Sequence, residues 1–374
     1  MPDHTRVTAH VNLQAIEHNL KWLHTHLHCK QTTKRPFVWS VVKADAYGHG
    51  LATIFPALRH ADGLAVLTLN DAWICRQRGW RGPIMVMRTD FEIDDLRHEE
   101  LLPLHLVIDN PDQLHQLAAS AHPLNLHIWL RHAGELHHTG FHTPDFIAAD
   151  KQLQALLDQG RIQSLRPFLH PAQAEMAVDF QREYWQFEQQ FQRSATQGCL
   201  FNSAALLTCP DLARKACWVR SGILLYGISP IAGLTGTDLG LQPAMTLKAP
   251  VYGVQTLKKG DRIGYGSRYQ AQSDMRVGLV RCGYSDGYPR QPGTNATVLI
   301  NERPAPIIGT VAMDLLTIDL TQHPNAGAGT SVTLWGPGLP LEHVADKAGT
   351  IAAALCSGLT AQVMRQADHT ETLA

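Results

Sequence analysis

Several features are missing from this sequence, and each absence excludes a class of protein. No apolar run reaches the roughly 20 residues that a transmembrane helix needs. The opening stretch MPDHTRVTAH lacks the basic, apolar and small-residue order of a secretory signal peptide. The seven cysteines are scattered and form no C-x-x-C pair, which suits a reducing compartment better than a disulfide framework. We therefore expect a cytoplasmic protein whose cysteines are mostly buried thiols.

The sequence also lacks an excess of charge of either sign. Its formal net charge is −1 over 374 residues, of which 17% are charged and 44% hydrophobic. This balance gives no reason to expect a nucleic acid or an anionic membrane as partner. The length is sufficient for two domains with sizeable cores, so composition indicates an ordinary globular protein.

Histidine is abundant, with 21 residues, but the zinc-binding helix motif H-E-x-x-H is absent. The densest stretches are HTHLHC (24–29) and RHAGELHHTGFH (131–142). The second has the order E-L-H-H, which excludes a zincin helix. We expect most of these histidines to be ordinary surface residues, and we predict no bound metal.

Short apolar runs alternate with longer amphipathic stretches over the first 225 residues. The predicted strands are FVWSVV (37–42), GLAVLTL (63–69), PIMVM (83–87), LHLVID (104–109), LNLHIWLR (124–131), LRPFLH (165–170), CLFNS (199–203) and WVRSGILLYG (218–227). Near-continuous apolar strands separated by helices indicate a parallel sheet. Eight of them in this length predict a closed (β/α)8 barrel of the TIM type.

The sequence changes character after about residue 241. Stretches such as AMTLKAPVYGVQTL and PAPIIGTVAMDLLTIDL are rich in Val and Thr and are broken by Gly and Pro turns. We predict an α/β barrel over residues 1–240, with the first ten or so residues packing on the second domain. A mostly β C-terminal domain would follow over residues 241–374.

Lys43 in VVKADAYGHG (41–50) closes one of the predicted strands at the point where the backbone turns. A partly desolvated lysine favours the neutral amine, which is the form that attacks a carbonyl group. In a barrel of this type, Lys43, His170 and Ser203 would all lie at the C-terminal ends of strands, where such barrels hold their active sites. A solvated loop lysine is the alternative for Lys43 taken alone.

Six stretches can be taken together: NLQAIEHNL (12–20), VVKADAYGHG (41–50), RSGILLYGISP (220–230), IGYGSRYQA (263–271), CGYSDGYPR (282–290) and GTVAMDLLTIDL (309–320). In this order they resemble motifs of the alanine racemase family, whose members use pyridoxal 5′-phosphate (PLP). The resemblance covers about residues 6–365. It implies PLP as cofactor and the interconversion of L- and D-alanine, the latter a precursor of peptidoglycan.

The resemblance implies a two-base mechanism, in which one group removes the α-proton and another returns it on the opposite face. Lys43 would serve one face, and Tyr265 of the partner subunit would serve the other. A head-to-tail homodimer with shared active sites follows from this arrangement.

The resemblance also assigns residues that would hold the cofactor. Arg220 would face the pyridine nitrogen, because a guanidinium does not readily give up a proton, and His170 would lie near the ring. The phosphate would be bound by Tyr47, Ser203, Gly222 and Ile223.

Several departures from the family concern substrate recognition. Arg131 stands in place of a lysine that is carbamylated in some members, and His138 replaces an arginine that contacts the substrate carboxylate. Thr310 stands where we expect an arginine, and Ala353 where the family tends to have a tyrosine at the substrate entrance. We therefore expect Arg131, His138 and the backbone amide of Met313 near the substrate carboxylate, with recognition weakened or altered.

Three interpretations remain open from the sequence. The first is an amino-acid racemase, acting on alanine or on an amino acid with a larger side chain. The second is a related PLP barrel enzyme, such as a dehydratase, aldolase or decarboxylase. The third is a PLP-binding paralogue with little activity.

Overall fold

Two compact units make up the computed structural model, which describes residues 6–28, 35–88, 91, 93–120, 123–191 and 195–368. One unit comprises residues 20–44 and 59–225 and is called the barrel unit here. The other comprises the residues up to Asn19, then 45–58, and those from Tyr226 onward, and is called the β unit. The chain opens with strand β1 (Thr8–Asn12) and helix α1 (Leu13–His26).

The barrel unit contains one parallel sheet with the strand order β7-β6-β5-β4-β3-β2-β8. Its strands are β2 (Phe37–Val41), β3 (Gly63–Val66), β4 (Ile84–Val86), β5 (Leu104–Ile108), β6 (Leu126–His132), β7 (Ser164–Leu169) and β8 (Trp218–Ser221). β3, β4 and β5 are buried throughout, and the other strands are buried over at least half of their length, because helices and the barrel interior cover both faces of a parallel sheet.

A short segment closes the barrel between β7 and β8. The Cys199 amide donates to the Pro167 carbonyl at 3.0 Å, and the Arg220 amide donates to the Phe201 carbonyl at 2.9 Å. The predicted barrel is therefore confirmed. The strand expected at 199–203 is shorter than predicted, because a helix already begins at Ser203.

The helices follow the strands in the order that the sequence pattern predicts. They are α2 (Lys43–Tyr47), α3 (Leu51–Ile54), α4 (Leu69–Gln77), α5 (Pro111–Ala119), α6 (Thr143–Asp158), α7 (Ala177–Phe191), α8 (Ser203–Thr208) and α9 (Pro210–Ala213). Local caps fix several of their starts. Thr68 and Asp71 form a reciprocal capping box at α4, and the Asn110 side chain accepts the Gln113 amide at α5.

The β unit contains an eight-stranded sheet in the order β12-β15-β14-β13-β16-β9-β1-β17, with a further pairing of β12 to β9. The elements are β9 (Met245–Leu257), β10 (Arg262–Ile263), β11 (Tyr269–Gln270), β12 (Met275–Val280), β13 (Thr297–Ile300), β14 (Arg303–Ile308), β15 (Leu316–Asp319), β16 (Ser331–Trp335), α10 (Leu341–Lys347), α11 (Ala352–Ser357) and β17 (Met364–Asp368). β1 pairs with β9 and β17, so the start of the described chain forms part of this sheet.

An aromatic cluster fills the end of the barrel at which several strands begin, and we call it the floor cluster: Trp39, His105, His127, Trp129 and Trp218. The Trp39 and Trp218 rings stack at 4.0 Å, and those of His105 and His127 at 4.3 Å. The Trp129 indole Nε1 donates to His105 Nδ1 at 3.1 Å.

Candidate active site

Lys43 lies two residues after the end of β2 and is half-buried at the C-terminal end of the barrel sheet. The preceding Val42 amide donates to the Ala65 carbonyl at 2.9 Å, which fixes the backbone at this point. Burial lowers the pKa of Lys43, and the positive charges of Arg220 and Arg131 lower it further. The site therefore favours the neutral, nucleophilic amine.

The chain leaves Lys43 through an unusual left-handed turn. The φ angles of Ala44, Asp45, Ala46 and Tyr47 are 52°, 51°, 56° and 51°. Such a run is costly for residues other than glycine, at about 1–2 kcal/mol each. Hydrogen bonds from the residues that follow offset this cost.

Two of those bonds converge on Asp45. The Leu51 amide donates to Asp45 Oδ1 at 2.7 Å, and the Gly50 amide donates to the Asp45 carbonyl at 2.9 Å. Gly48 cannot be replaced by a larger residue, because a Cβ there would lie 1.8 Å from the Cys356 carbonyl oxygen. The turn is thus specified by the tertiary structure around it.

Arg220 is 3% exposed and its side chain is held by acceptors of the barrel. Nη1 donates to the Cys199 carbonyl at 2.6 Å, and Nη2 donates to the Leu169 carbonyl at 2.9 Å. The guanidinium carbon also lies 4.2 Å from the centre of the Phe168 ring. These contacts fix a permanent cation at the strand ends.

His170 lies beside this cation, with Nδ1 3.3 Å from Arg220 Nη2. Burial lowers the pKa of His170 to about 3, with further contributions from Arg220, Arg131, Lys43 and His138. The imidazole is therefore neutral at ordinary pH, and in the tautomer protonated at Nε2 its Nδ1 accepts a hydrogen bond from Arg220 Nη2.

Arg131 lies in β6 opposite Phe168 of β7, and its guanidinium carbon is 5.8 Å from the centre of that ring. Its Nε is buried and has no hydrogen-bond partner in the described part of the chain. Burial lowers the pKa of Arg131, Asp109 opposes this effect, and Arg220 adds to it. His138 lies in the loop that follows and is exposed.

Ser203 and Gly222 meet at the same end of the barrel. The Gly222 amide donates to the Ser203 Oγ at 3.0 Å, and both residues are buried. Ile223 follows and begins a 3-10 turn, Ile223–Tyr226. Ser203, Gly222 and Ile223, three of the predicted phosphate ligands, are thus close together in sequence or space. A hydroxyl with backbone amides is a donor set that suits a phosphate monoester.

Tyr265 lies in the β unit, in a 3-10 turn between β10 and β11, and is 69% exposed. Its carbonyl accepts a hydrogen bond from the Thr310 hydroxyl at 3.1 Å. Thr310, one of the departures from the family pattern, therefore contacts the backbone of the predicted second base.

The other predicted residues of the β unit have separate neighbours. The Tyr47 ring lies 5.2 Å from that of the buried Tyr226. The Met313 carbonyl accepts the Ser285 amide at 2.8 Å, and the Met313 side chain is 57% exposed. Ala353 lies in α11 and is partly exposed.

The structure brings Lys43, Arg131, His170 and Arg220 within electrostatic reach of one another in the barrel unit. Sequence analysis missed Phe168, whose ring contacts both arginines. Its position two residues before His170 was a usable signal, because alternate residues of a strand share a face. Asp109, whose negative charge raises the pKa of Arg131, gave no comparable signal in the sequence.

None of the described helices has the length and apolar character needed to cross a membrane. Within the same residues, no group of three or more His, Cys, Asp or Glu side chains could hold a metal ion.

The fold and site define a two-unit enzyme, with a parallel barrel that holds a half-buried lysine within electrostatic reach of two arginines and a second unit built on a mostly antiparallel β sheet. Comparison with known proteins makes the class specific. Alanine racemase, N-terminal domain, matches residues 11–230, and Alanine racemase, C-terminal domain, matches residues 244–367. The chain belongs to the alanine racemase family and is an isomerase, as the sequence motifs predict.

Individual relatives agree over almost the whole chain. An alanine racemase from Nitrosospira multiformis is 37% identical over 359 residues, which is 96% of this chain and 98% of the relative. One from Ralstonia nicotianae is 39% identical over 333 residues, or 87% of each chain. The structure of the biosynthetic alanine racemase from Pseudomonas aeruginosa has a TM-score of 0.88 at 34% identity, covering 98% of this chain and 100% of that one.

Proposed function

We propose that this chain interconverts L- and D-alanine with PLP as cofactor. The observation that carries the proposal is the position of Lys43, half-buried at the end of β2, with a pKa lowered by burial and by two arginines. The names of its relatives support alanine as the substrate. The free thiols of the six described cysteines agree with a cytoplasmic location.

The donor set in the barrel unit fits PLP. Lys43, whose pKa burial lowers, supplies the amine for the aldehyde. The Ser203 hydroxyl, held by the Gly222 amide, and the Ile223 amide would donate to the phosphate, together with Tyr47. Arg220 would face the pyridine nitrogen and leave it unprotonated, because a guanidinium keeps its proton. PLP, when bound, delocalises the negative charge that remains when the α-proton is removed.

The residues of this chain then move the proton. The Lys43 amine takes or returns it on one face of the α-carbon, and the hydroxyl of Tyr265 from the partner subunit acts on the other. Exposure of Tyr265 supports a role at a subunit boundary. A head-to-tail homodimer with shared sites is part of the proposal.

Three single substitutions test these roles. Lys43→Ala should lose both racemisation and the visible absorbance band of lysine-bound PLP. Tyr265→Phe should keep the band while turnover falls by a factor of about 10²–10⁴, the usual contribution of a general acid or base. Tyr252→Phe, at another exposed tyrosine of the β unit, is the control and should change neither. Full racemisation by Tyr265→Phe would contradict the two-base assignment.

A further inference from the structure

Arg131 and Arg220 both lie at the strand ends, but they differ in whether their N–H donors have hydrogen-bond partners. Arg220 donates to two backbone carbonyls and contacts His170, so its hydrogen-bonding capacity is largely occupied within the fold. Arg131 has a buried Nε without a hydrogen-bond partner within the described residues. A buried donor without an acceptor is unfavourable, and more so when the group is charged.

Positive charge near Arg131 makes this buried, unpartnered donor still less favourable. Lys43, Arg220 and Arg131 lie within electrostatic reach of one another, and each arginine lowers the pKa of Lys43. Asp109 is the acidic side chain that acts on Arg131, and it also accepts a hydrogen bond from Asn110 at 3.2 Å. The strand ends therefore hold more positive than negative charge, which favours the binding of an anion.

The fold holds the stem of Arg131 in place. The Phe141 amide donates to the Arg131 carbonyl at 2.9 Å, and Gly140 packs against the aliphatic part of the side chain. A Cβ at residue 140 would lie 3.0 Å from Arg131 Cγ, at a φ of 109° that favours glycine. These contacts hold the backbone and the Cγ of Arg131, whose Nε has no hydrogen-bond partner among the described residues.

His138 is the competing cation, since it occupies the position of the family arginine. It is exposed in the loop after β6 and follows His137, whose φ of 53° is left-handed. Its effect on His170 is the smallest of the named charges. A solvated imidazole in a turn is a poorer anchor for a carboxylate than a supported guanidinium with two parallel donors.

We propose that Arg131, and not His138, is the cation that binds the carboxylate of the amino-acid substrate in this chain. The inference rests on the proposed function and makes it more specific. Relative to the family pattern, this cation lies seven residues earlier in the chain, at the end of β6 instead of in the loop that follows it. Substrate recognition is thus retained by a different residue instead of being lost with the family arginine.

The test uses the PLP-loaded enzyme and propionate, a carboxylate that has no amino group to react with the cofactor. Its dissociation constant is measured from the change in PLP absorbance and, separately, from competition against alanine. The variants are Arg131→Gln, Arg131→Lys and, as the matched control, His138→Gln. PLP content is recorded for each, so a variant that fails to fold or load is recognised.

The assignment predicts that Arg131→Gln weakens propionate about 10- to 100-fold, the effect of one charge-assisted hydrogen bond. Arg131→Lys should weaken it less, because charge remains but the planar fork is lost. His138→Gln should stay within about twofold of the wild type. KM for alanine should rise more than kcat falls in Arg131→Gln.

The pH dependence of the wild type gives an independent readout that needs no variant. Arginine stays charged, and His170 is already neutral, so propionate binding should not weaken between pH 6 and 8. A histidine-based site would weaken over that range as the imidazole loses its charge.

Weakening with rising pH, or loss of binding in His138→Gln but not in Arg131→Gln, would overturn the assignment. A wild type that binds propionate through Arg131 but does not racemise alanine would instead refute the proposed function alone.

Discussion

Thr310 shows how a single departure from the family pattern can be accommodated. Its hydroxyl donates to the Tyr265 carbonyl at 3.1 Å, while Gly264 and Gly266 on either side of the tyrosine adopt φ angles of 79° and 73°. The turn that presents Tyr265 is therefore held in part by this one side-chain hydrogen bond. If Tyr265 is the second base, Thr310 is a positioning residue for it.

Thr310→Val removes the hydroxyl and keeps the shape of the side chain, whereas Thr310→Ser keeps the hydroxyl. We expect kcat to fall about 2- to 10-fold in Thr310→Val, because a net hydrogen bond contributes about 0.5–1.5 kcal/mol. Thr310→Ser should restore most of it. The measurement is kcat and KM in both directions. Equal activity of the two variants would show that the bond does not position Tyr265.

At the scale of elements, contacts with the surrounding structure stabilise the turn after Lys43, although the left-handed backbone conformation of the turn is itself unfavourable. Ala44 is exposed and has a φ of 52°, a conformation that glycine adopts without steric cost. The usual rule that Ala→Gly destabilises a helix should fail here.

We predict that Ala44→Gly leaves the free energy of unfolding unchanged or raises it by up to about 1 kcal/mol, since relief of strain outweighs the added entropy of the unfolded chain. The control is Ala148→Gly at an exposed position inside α6, which should lower it by about 0.5–1 kcal/mol. Urea unfolding of both variants measures the contrast. A similar loss in both would argue against the left-handed turn.

The floor cluster makes stability depend on pH. Burial lowers the pKa of His105 to about 3, with smaller effects of His127 and Arg166. The unfolded chain binds a proton at this residue near pH 6.5, so it takes up more protons than the folded chain between pH 6.5 and 3. The free energy of unfolding therefore falls as the pH is lowered through this window.

His105→Gln keeps an acceptor for the Trp129 indole and removes the titration. The loss of stability between pH 6 and 4 should become shallower by up to about 1.4 kcal/mol per pH unit. His115→Gln, at an exposed position of α5, should leave the slope unchanged. Urea unfolding at a series of pH values tests this, and an unchanged slope in His105→Gln would contradict a neutral buried His105.

The sequence predicts an element when the residues that determine it are neighbours in the chain, and it fails when those residues are distant in sequence. The run FVWSVV placed Lys43 at a strand end correctly, because the alternation of buried strands and helices is a local pattern. The turn ADAY contains no glycine, so its left-handed conformation, set by residues 48–51 and 356, could not be predicted. The environment of Arg131 also includes Asp109, which follows β5 and gave no comparable sequence signal.

At the scale of the whole molecule, the proposed shared site requires two subunits. Suppose that Lys43 and Tyr265 of one active site come from different chains. A dimer of one Lys43→Ala chain and one Tyr265→Phe chain then still contains one intact site. Lys43→Ala and Tyr265→Phe should then be nearly inactive alone. Mixed and allowed to exchange subunits, they should regain about a quarter of wild-type turnover, because half of the dimers are mixed and each has one working site.

The controls for this experiment are the two variants incubated separately and sedimentation of the wild type. No recovery on mixing, with subunit exchange confirmed, would place both bases in the same chain. A wild type that is fully active as a monomer would exclude the shared site altogether.

The most direct test of the racemase assignment is exchange at the α-carbon. The PLP-loaded enzyme is incubated with L-alanine in D₂O, and loss of the α-proton signal is followed together with chiral analysis of the product. We predict D-alanine that carries deuterium at the α-carbon, and the same result in the reverse direction from D-alanine. Absence of exchange from either enantiomer, with the absorbance band of lysine-bound PLP intact, would contradict the proposed function.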